Sequence, residues 1–256
     1  MVTKYKAPTV KKAFQILRLI SRADHGVRIS NLSKNLGLSK STVHGITAAL
    51  EEQGAIIRDL RTKRYTLGLT LFELGRAAYS RVDLNDLARP IMEDLMEKAE
   101  ESVFLGVKNG NRVTVIDIVE SMHDLKITSP IGTSLPLLAG ATGKVFLSSM
   151  EEKEVKRLLS SKQLPGYTEN TITDLELYLA EIRTACEKGY ATDDEEYISG
   201  VRALAAPVRE INHLMLAIWV VGFKSSMDKA KMSAIAKEIK HAAEEIGRRV
   251  RKRYKE

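Results

Sequence analysis

Cysteine is nearly absent from this sequence: the 256 residues include only Cys186. One cysteine cannot close an internal disulfide or supply a thiolate cluster, so the sequence predicts a protein of a reducing compartment. Long apolar runs are also missing, and no stretch approaches the roughly 18 residues that a membrane-spanning helix needs. The N-terminal segment MVTKYKAPTVKK lacks the apolar core of a signal peptide. We therefore expect a cytoplasmic protein with no membrane partner.

The motifs of common enzymes are scarce as well. No GxSxG nucleophile elbow occurs, and the five histidines have no ligand-type spacing, so we expect no catalytic residue, no metal and no cofactor. The segment GATGKV resembles a phosphate-binding loop, but Leu138 and Val145 stand where that motif needs glycine and Ser or Thr. We interpret the acidic run at 193–196 as a solvated loop, with Asp193 at a pocket edge, rather than as catalytic carboxylates. The sequence thus favours a protein that is not an enzyme.

Positive charge is concentrated at one end of the chain. The net charge is +7, yet residues 1–81 contain 15 Lys and Arg against 5 Asp and Glu, whereas residues 82–256 contain 25 against 28. Such asymmetry predicts that the N-terminal part binds a polyanion and that the rest does not.

The first 68 residues show the pattern of three helices followed by a hairpin. Pro8 suits the first turn of a helix, and Ser30 and Ser39 suit the N-caps of the next two. Gly37 lies between these two helices and fits a left-handed turn. Segments 55–58 and 64–67 read as strands joined by a polar turn. Two helices, a tight turn and a hairpin indicate a winged helix-turn-helix. The predicted core stripe of the first helix is Val10, Ala13, Phe14, Leu17 and Ile20.

One face of the third predicted helix, residues 40–53, suits DNA. At about 100° per residue, Val43, Ile46 and Leu50 share the core side, and the opposite side is small and uncharged. Small residues let a helix enter a major groove, where hydroxyls and imidazole can contact bases or phosphates, and cations on the hairpin can reach the backbone. The candidate DNA-binding residues are Ser39, Lys40, Ser41, Thr42, His44, Gly45, Arg61, Lys63 and Arg64.

The rest of the chain alternates between helical and strand patterns. A helix is predicted over 84–99, and the Asn109-Gly110-Asn111 turn predicts a hairpin. Both faces of segment 214–221 are apolar, which predicts a strand inside a sheet covered on both sides. The predicted organisation is a winged helix-turn-helix domain at 1–68, a linker helix at 69–82 and an effector domain at 83–256. The linker helix should contact a second copy of the chain through Leu71, Phe72, Leu74 and Ala78.

The segments ISNLSKNLGLSKSTVHGITAALEEQGAIIRD and RYTLG resemble the DNA-binding domain of the IclR family of bacterial transcriptional regulators. LPLLAGATGKVFLS and GYATDDEEYISGVRALAAPV resemble two segments of that family's C-terminal domain, in the family's order. The resemblance implies an α+β fold, in which a winged helix-turn-helix and a linker helix precede a GAF-like α/β domain with a mostly antiparallel sheet. It also implies homodimers or tetramers and effector-controlled repression or activation. Gly45 departs from the family, which often has Arg there, and this change concerns which bases are read.

The resemblance implies an effector pocket as well. In family members that bind small keto acids, the positions of Ala203, Trp219 and Val221 hold Cys, Ser and Ser. We therefore expect an apolar effector or an aromatic acid, unless Trp219 fills the pocket. Trp219 shares a strand face with Ala217 and Val221, so its ring should face the pocket and not the final helix. The implied effector-binding residues are Ala141, Thr142, Asp193, Ala203, Trp219 and Val221.

Three functions are compatible with these patterns. The first is a ligand-responsive transcriptional regulator whose partners are a double-stranded DNA operator and a small-molecule effector. The second is an architectural DNA-binding protein whose C-terminal half only oligomerises, which a fully packed C-terminal domain would favour. The third is an enzyme with a DNA-binding appendage, which turnover of a metabolite would favour. We predict the first, because no nucleophile or metal set supports the third.

Overall fold

The computed structural model of the chain describes residues 7–80, 84–159, 163–211 and 214–253. The chain divides into two compact units between Asp83 and Leu84. Within the described ranges, no helix has the length and apolar character needed to cross a membrane.

The first unit contains a helix-turn-helix followed by a two-stranded hairpin and a further helix. Gly37 joins the second and third helices with a φ of 63°, the left-handed turn that the sequence predicts. The hairpin strands are antiparallel, with Arg58 opposite Tyr65. The elements are α1 (Pro8–Ile20), α2 (Ile29–Leu36), α3 (Lys40–Glu52), β1 (Ile56–Arg58), β2 (Tyr65–Leu67) and α4 (Leu69–Ser80).

The buried face of α1 differs from the predicted stripe. Val10 and Phe14 are 56% and 58% exposed, whereas Ile16, which the prediction omits, is fully buried. Both sets recur at helical spacing, because α1 has apolar residues on two overlapping faces. Only the position of the remaining core selects one of them, so periodicity alone could not decide. The α1 residues that contribute to the core are Ala13, Ile16, Leu17, Leu19 and Ile20.

The predicted N-cap at Ser30 is also wrong, since α2 begins at Ile29 after Arg28 and has no side-chain cap. The reason is a pair of backbone hydrogen bonds between Val27 and Tyr65, with N···O distances of 2.9 and 2.8 Å. These bonds hold the chain extended until Arg28, and the helix begins directly afterwards. Pairing with the hairpin therefore overrides the local capping preference.

The second unit is built on a six-stranded antiparallel sheet with the order β5-β4-β3-β8-β7-β6. The strands are β3 (Ser102–Asn109), β4 (Arg112–Val119), β5 (Ser134–Pro136), β6 (Ala191–Asp194), β7 (Val201–Ile211) and β8 (Leu214–Phe223). The helices are α5 (Leu84–Ala99), α6 (Gly140–Ser148), α7 (Glu152–Leu159), α8 (Leu175–Lys188) and α9 (Lys229–Arg253).

Helices cover both faces of this sheet, as the apolar pattern of β8 predicts. Ala217 and Trp219 belong to the core formed with α6, α7 and α8. The alternate residues Ile218 and Val220 lie on the opposite face, where α5 and α9 pack on β3 and β7. Trp219 therefore faces away from the final helix, which confirms the prediction for its orientation.

Two short edge strands, β5 and β6, are not predicted from the sequence. They have three and four residues and contain Pro136, Asp193 and Asp194, residues that disfavour strands. Pairing with β4 and β7 makes these segments strands. The tertiary pairing matters for function, because β6 carries Asp193.

Candidate functional site

A cluster of hydroxyl groups lies at the start of α3. Ser39 caps the helix, with its Oγ accepting a hydrogen bond from the amide of Thr42 at 3.2 Å. The same Oγ lies 3.0 Å from Ser41 Oγ and 2.8 Å from Thr42 Oγ1. Helix N-termini favour anions because amides of the first turn lack acceptors and the dipole is positive there. This end of α3 can therefore receive a phosphate oxygen.

The face of α3 that the sequence assigns to DNA is open to solvent. Ser41, His44 and Gly45 are exposed, whereas Val43 and Ile46 are buried. A Cβ placed on Gly45 would meet no atom within 4 Å, so the fold of this unit does not require glycine there. Glycine instead leaves the helix backbone bare, which permits close approach of another surface.

The hairpin tip, or wing, at residues 59–64 is a locally ordered turn. Asp59 Oδ1 accepts hydrogen bonds from the amides of Arg61 and Thr62 at 2.8 and 2.7 Å. The Thr62 amide is the main cause that holds the pKa of Asp59 below its usual value. Lys63 has a φ of 57°, and both Arg61 and Lys63 are exposed. The wing thus presents two cations from a defined backbone.

The cations that the structure places at the wing differ from the predicted set at two positions, Arg64 and Arg28. Arg64 Nη1 donates to the carbonyl of Gly26 at 2.9 Å, so this half-buried side chain anchors the hairpin. Arg28 is exposed, and its Nε donates to the carbonyl of Thr62 at 3.1 Å. Arg28 therefore adds a cation beside the wing that sequence reasoning misses. No sequence signal links Arg28 to residues more than 30 positions away.

The second unit contains a cavity of about 230 Å³ beside the first turn of α6. All six residues that the resemblance implies line this cavity, although they come from α6 and three strands. Most of the other lining side chains are apolar. The apolar ones are Phe104, Val115, Ile127, Leu135, Ala139, Ile198 and Val201, and the polar ones are Thr128, Ser129 and Tyr197.

Trp219 forms a fixed aromatic wall of the cavity. Its ring stacks on Phe104 with a centroid distance of 5.6 Å and an interplanar angle of 6°. Gly106 leaves space for the indole, since a Cβ there would lie 2.6 Å from Trp219 Cη2. Trp219 is thus packed as core, and it still leaves an open space beside its ring. That space is below the roughly 300–1,000 Å³ of drug-sized sites and suits a small compound.

The first turn of α6 supplies hydrogen-bond donors to the cavity wall. The N-cap residue Ala139 makes no side-chain cap, and the amides of Ala141 and Thr142 lie in the turn that has no intrahelical acceptors. Thr142 Oγ1 donates to the carbonyl of Ala139 at 3.0 Å. Its oxygen can therefore only accept, and the backbone amides are the donors of this turn.

Asp193 is the buried acid of the cavity wall and is only 6% exposed. Its Oδ1 accepts a hydrogen bond from the amide of Glu196 at 2.6 Å. Burial is the main cause that raises the pKa of Asp193 to about 6. Gly140 has no side chain to block this carboxylate, since a Cβ there would collide with Asp193 Oδ2.

The interpretation of the acidic run 193–196 as a solvated loop is wrong for Glu196, whereas Asp193 lines the cavity as expected. Glu196 is buried like Asp193, and Lys144 lies beside it with 1% exposure. Lys144 Nζ donates to Glu196 Oε1 at 2.6 Å, to the carbonyl of Thr192 at 3.0 Å and to Glu181 Oε2 at 3.2 Å. Burial raises the pKa of Glu196, and the charge of Lys144 opposes that rise.

Lys144 is therefore a structural counter-ion rather than the lysine of a phosphate loop. The sequence carries one hint of this role, because Lys144 stands between Gly143 and the apolar run Val-Phe-Leu at 145–147. Its partner cannot be read from spacing, since Glu196 is 52 residues away. Across the described ranges, no group of three or more His, Cys, Asp or Glu side chains could hold a metal ion.

Comparison with known proteins identifies both units. Residues 76–248 match the family described as "Bacterial transcriptional regulator IclR C-terminal", and residues 9–60 match the "IclR helix-turn-helix domain". The HTH-type transcriptional regulator KipR of Bacillus subtilis (strain 168) is 29% identical over 248 residues, which cover 96% of this chain and 98% of KipR.

Solved structures agree on the fold. The crystal structure of an IclR transcriptional regulator from Alicyclobacillus acidocaldarius has a TM-score of 0.82 and 27% identity, covering 95% of this chain and 98% of that one. An IclR homolog of Microbacterium hydrocarbonoxydans, complexed with 4-hydroxybenzoate, has a TM-score of 0.77 and 20% identity, covering 95% and 99%. The winged helix-turn-helix, the antiparallel sheet domain and these matches lead to one conclusion: the chain is a DNA-binding transcriptional regulator of the IclR family and not an enzyme.

Proposed function

We propose that this regulator reads a double-stranded operator with the exposed face of α3 and the wing, and that a small apolar or aromatic effector in the cavity sets its affinity for DNA. The observation that carries the effector half is the cavity itself. Residues from α6, β6, β7 and β8 meet around one largely apolar space with an aromatic wall. A C-terminal domain that only oligomerised would have no need of such a space. The regulator would act in the cytoplasm, where its operator is.

The two parts of the DNA surface have different roles in this proposal. Ser41 and His44 occupy an exposed, uncharged helix face, so they would contact base edges in the major groove. Arg61 and Lys63 would neutralise phosphates, which contributes affinity without sequence preference. Lys40 and the hydroxyls of Ser39 and Thr42 would position the helix start on the backbone.

Binding to operator and random DNA at several salt concentrations separates these roles. R61A/K63A should weaken binding to both DNAs and lower the salt slope by about 1.8, because each phosphate contact contributes about 0.9. R64A should lower the salt slope less, because the Arg64 guanidinium already donates a hydrogen bond to the Gly26 carbonyl. H44A and S41A should reduce the preference for the operator. K156A, which removes a cation paired with Glu152 in the second unit, is the matched control. Equal losses on both DNAs for H44A would contradict base reading by α3.

The effector should differ from a small keto acid in chemistry. Ala203 and Val221 offer no donor where keto-acid binders have Cys and Ser, and Trp219 offers only its indole N–H. An unpaired polar group costs about 1–3 kcal/mol, which is roughly 5- to 150-fold in affinity. Two or three such losses should abolish tight binding of glyoxylate or pyruvate, whereas an aromatic ring can stack on Trp219.

Trp219 is the only tryptophan, so its fluorescence reports on this site. A panel of aromatic and aliphatic compounds, with 4-hydroxybenzoate among them, should include at least one bulky member that changes the emission and the affinity for operator DNA. The triple variant A203C/W219S/V221S should gain keto-acid binding by calorimetry. Tight binding of glyoxylate or pyruvate by the natural chain, with none for larger compounds, would refute the proposal.

Homodimers or tetramers complete the proposal, since one winged helix covers only a short half-site. Leu69, Phe72 and Leu74 of α4 are 62–66% exposed, which leaves an apolar surface for a second copy. Leu71 is half-buried, and the side chain of Ala78 lies outside the described residues. F72D should shift the mass in light scattering toward the monomer, with E73Q on the same helix as control. A monomer at all concentrations of the natural chain would contradict this proposal.

A further inference from the structure

The charge around the cavity has one sign. Asp193 is the acid that lines it, the phenol of Tyr197 is the other titratable group, and no Lys, Arg or His lines it among the residues that the structure describes. The nearby cation Lys144 is occupied by Glu196, Glu181 and the Thr192 carbonyl. An anionic effector would therefore lie beside a carboxylate with no cation to neutralise the pair.

We propose that the cavity takes up a carboxylate effector together with one proton shared with Asp193, whereas an uncharged hydroxyl effector binds best to ionised Asp193. This inference rests on the proposed function of the cavity as the effector site. The proton comes from solvent and lies between the two carboxyl groups, so the pair carries one negative charge rather than two. In the second case the effector hydroxyl donates its own hydrogen to the Asp193 carboxylate. Above the pKa of Asp193 no proton is exchanged with solvent, whereas below it Asp193 first releases its proton to solvent.

The physical basis is the cost of two close anions in a largely apolar space. Two carboxylates that share a site cannot both stay ionised, and one of them is protonated at a higher pH than usual. Asp193 already binds a proton more tightly than an ordinary aspartate, since burial raises its pKa to about 6. A carboxylate effector would raise that pKa further, because it adds a second negative charge and excludes water.

The charged and hydrogen-bonding groups around Asp193 do not cancel the rise in its pKa. From α6, Lys144 lowers the pKa of Asp193 through its charge, whereas Glu196 in the turn after β6 raises it. The amides of Glu196 and Tyr197 donate to the carboxylate and favour its charged form. Glu181 of α8 binds Lys144 and takes up part of its charge. The net result of burial and these neighbours is the raised value.

A matched pair of probes tests the proposal by calorimetry on the full chain. Benzoate is an anion without a donor, and benzyl alcohol is uncharged with one donor and the same ring. Titrations in buffers of different ionisation enthalpy give the number of protons taken up. At about pH 7.5, benzoate should take up close to one proton, and its affinity should fall about tenfold per pH unit above the pKa of Asp193. Benzyl alcohol should take up none, and its affinity should rise as Asp193 ionises.

Asp193→Asn is the decisive variant, and Asp194→Asn is its control, because Asp194 pairs with Arg202 and does not line the cavity. D193N should lose the pH dependence for both probes, and D194N should keep it. The proton count of the natural chain needs no variant and remains informative if D193N misfolds. Benzoate binding without proton uptake, equal pH slopes for the two probes, or no binding of either would overturn the proposal. Release of operator DNA, measured separately, shows whether the effector role itself fails.

Discussion

Gly106 of β3 leaves the space that the Trp219 indole occupies, and this contact allows a quantitative prediction. Gly106 lies at an irregularity in the pairing of β3 with β4 and opposite Ala217 of β8. A Cβ at this position would lie 2.6 and 2.7 Å from Trp219 Cη2 and Cζ3, and 2.9 Å from the carbonyl oxygen of Thr114. Carbon atoms at such distances overlap strongly, so the neighbours of Gly106 must shift if a methyl group is added.

The indole is the neighbour that would move in Gly106→Ala. The Thr114 carbonyl belongs to the backbone of β4, whereas Trp219 borders open space in the cavity. Overpacking of a core costs about 1–3 kcal/mol, and the smaller entropy of an unfolded chain with Ala in place of Gly returns about 0.4–1 kcal/mol. We expect G106A to lower the free energy of unfolding by about 1–2 kcal/mol and to shift the indole into the cavity, away from Phe104.

Urea unfolding followed by circular dichroism measures the loss of stability, and Trp219 emission measures the shift of the ring. G106A/W219L should recover part of the loss, because the smaller side chain relieves the overlap, with a coupling energy of about 1 kcal/mol or more. G166A is the matched control, since its Cβ would lie 3.7 Å from Thr173 Cγ2, an ordinary contact. A G106A protein with unchanged stability and emission, or additive effects in the double variant, would refute the reasoning.

Two further predictions concern the buried charges behind the cavity. K144M should lower the free energy of unfolding, measured in urea, by about 3–5 kcal/mol, because Glu196 would stay buried without its partner. K144M/E196Q should recover part of this loss. A loss below about 1 kcal/mol for K144M would contradict a stabilising role of Lys144 as the counter-ion of Glu196. The pKa of Asp193 is about 6 in the folded chain against an ordinary 3.8, so the folded state binds the proton more tightly and stability falls as pH rises between these values. D193N should therefore raise the free energy of unfolding at about pH 8 by up to about 3 kcal/mol, and the gain should vanish at about pH 3, below both pKa values. An equal effect at both pH values would show that ionisation is not the cause.

Local signals in the sequence predict much of the backbone. Ser39 caps its helix through its own side chain, and Gly37 ends a helix in the left-handed conformation, as the sequence predicts. The turn at Gly110 and Asn111 joins β3 and β4 with Asn109 opposite Arg112. These features depend on hydrogen bonds and backbone preferences within a few residues, so they can be read from the order of residues alone.

The effector positions illustrate a different kind of sequence information. Only the family resemblance predicts that these residues surround one cavity. Spacing could not predict it, because Ala141, Asp193 and Trp219 are far apart in the chain. The sequence alone shows that Ala203 and Val221 provide no hydrogen-bond donor, because their side chains have none in any fold. It does not show the volume left beside Trp219, because that volume depends on Gly106 and Phe104 of the neighbouring strand.

The sequence by itself determined the family, the helix-turn-helix, the order of most helices and strands and the residue types at the DNA and effector positions. The tertiary structure alone decided which face of α1 is buried, that Arg64 binds Gly26 while Arg28 joins the wing, and that Lys144 and Glu196 form a buried pair. The physical reason is the same in each case. Burial and pairing depend on neighbours tens of residues away, and only the folded chain brings those neighbours within the few ångströms at which packing and charge act.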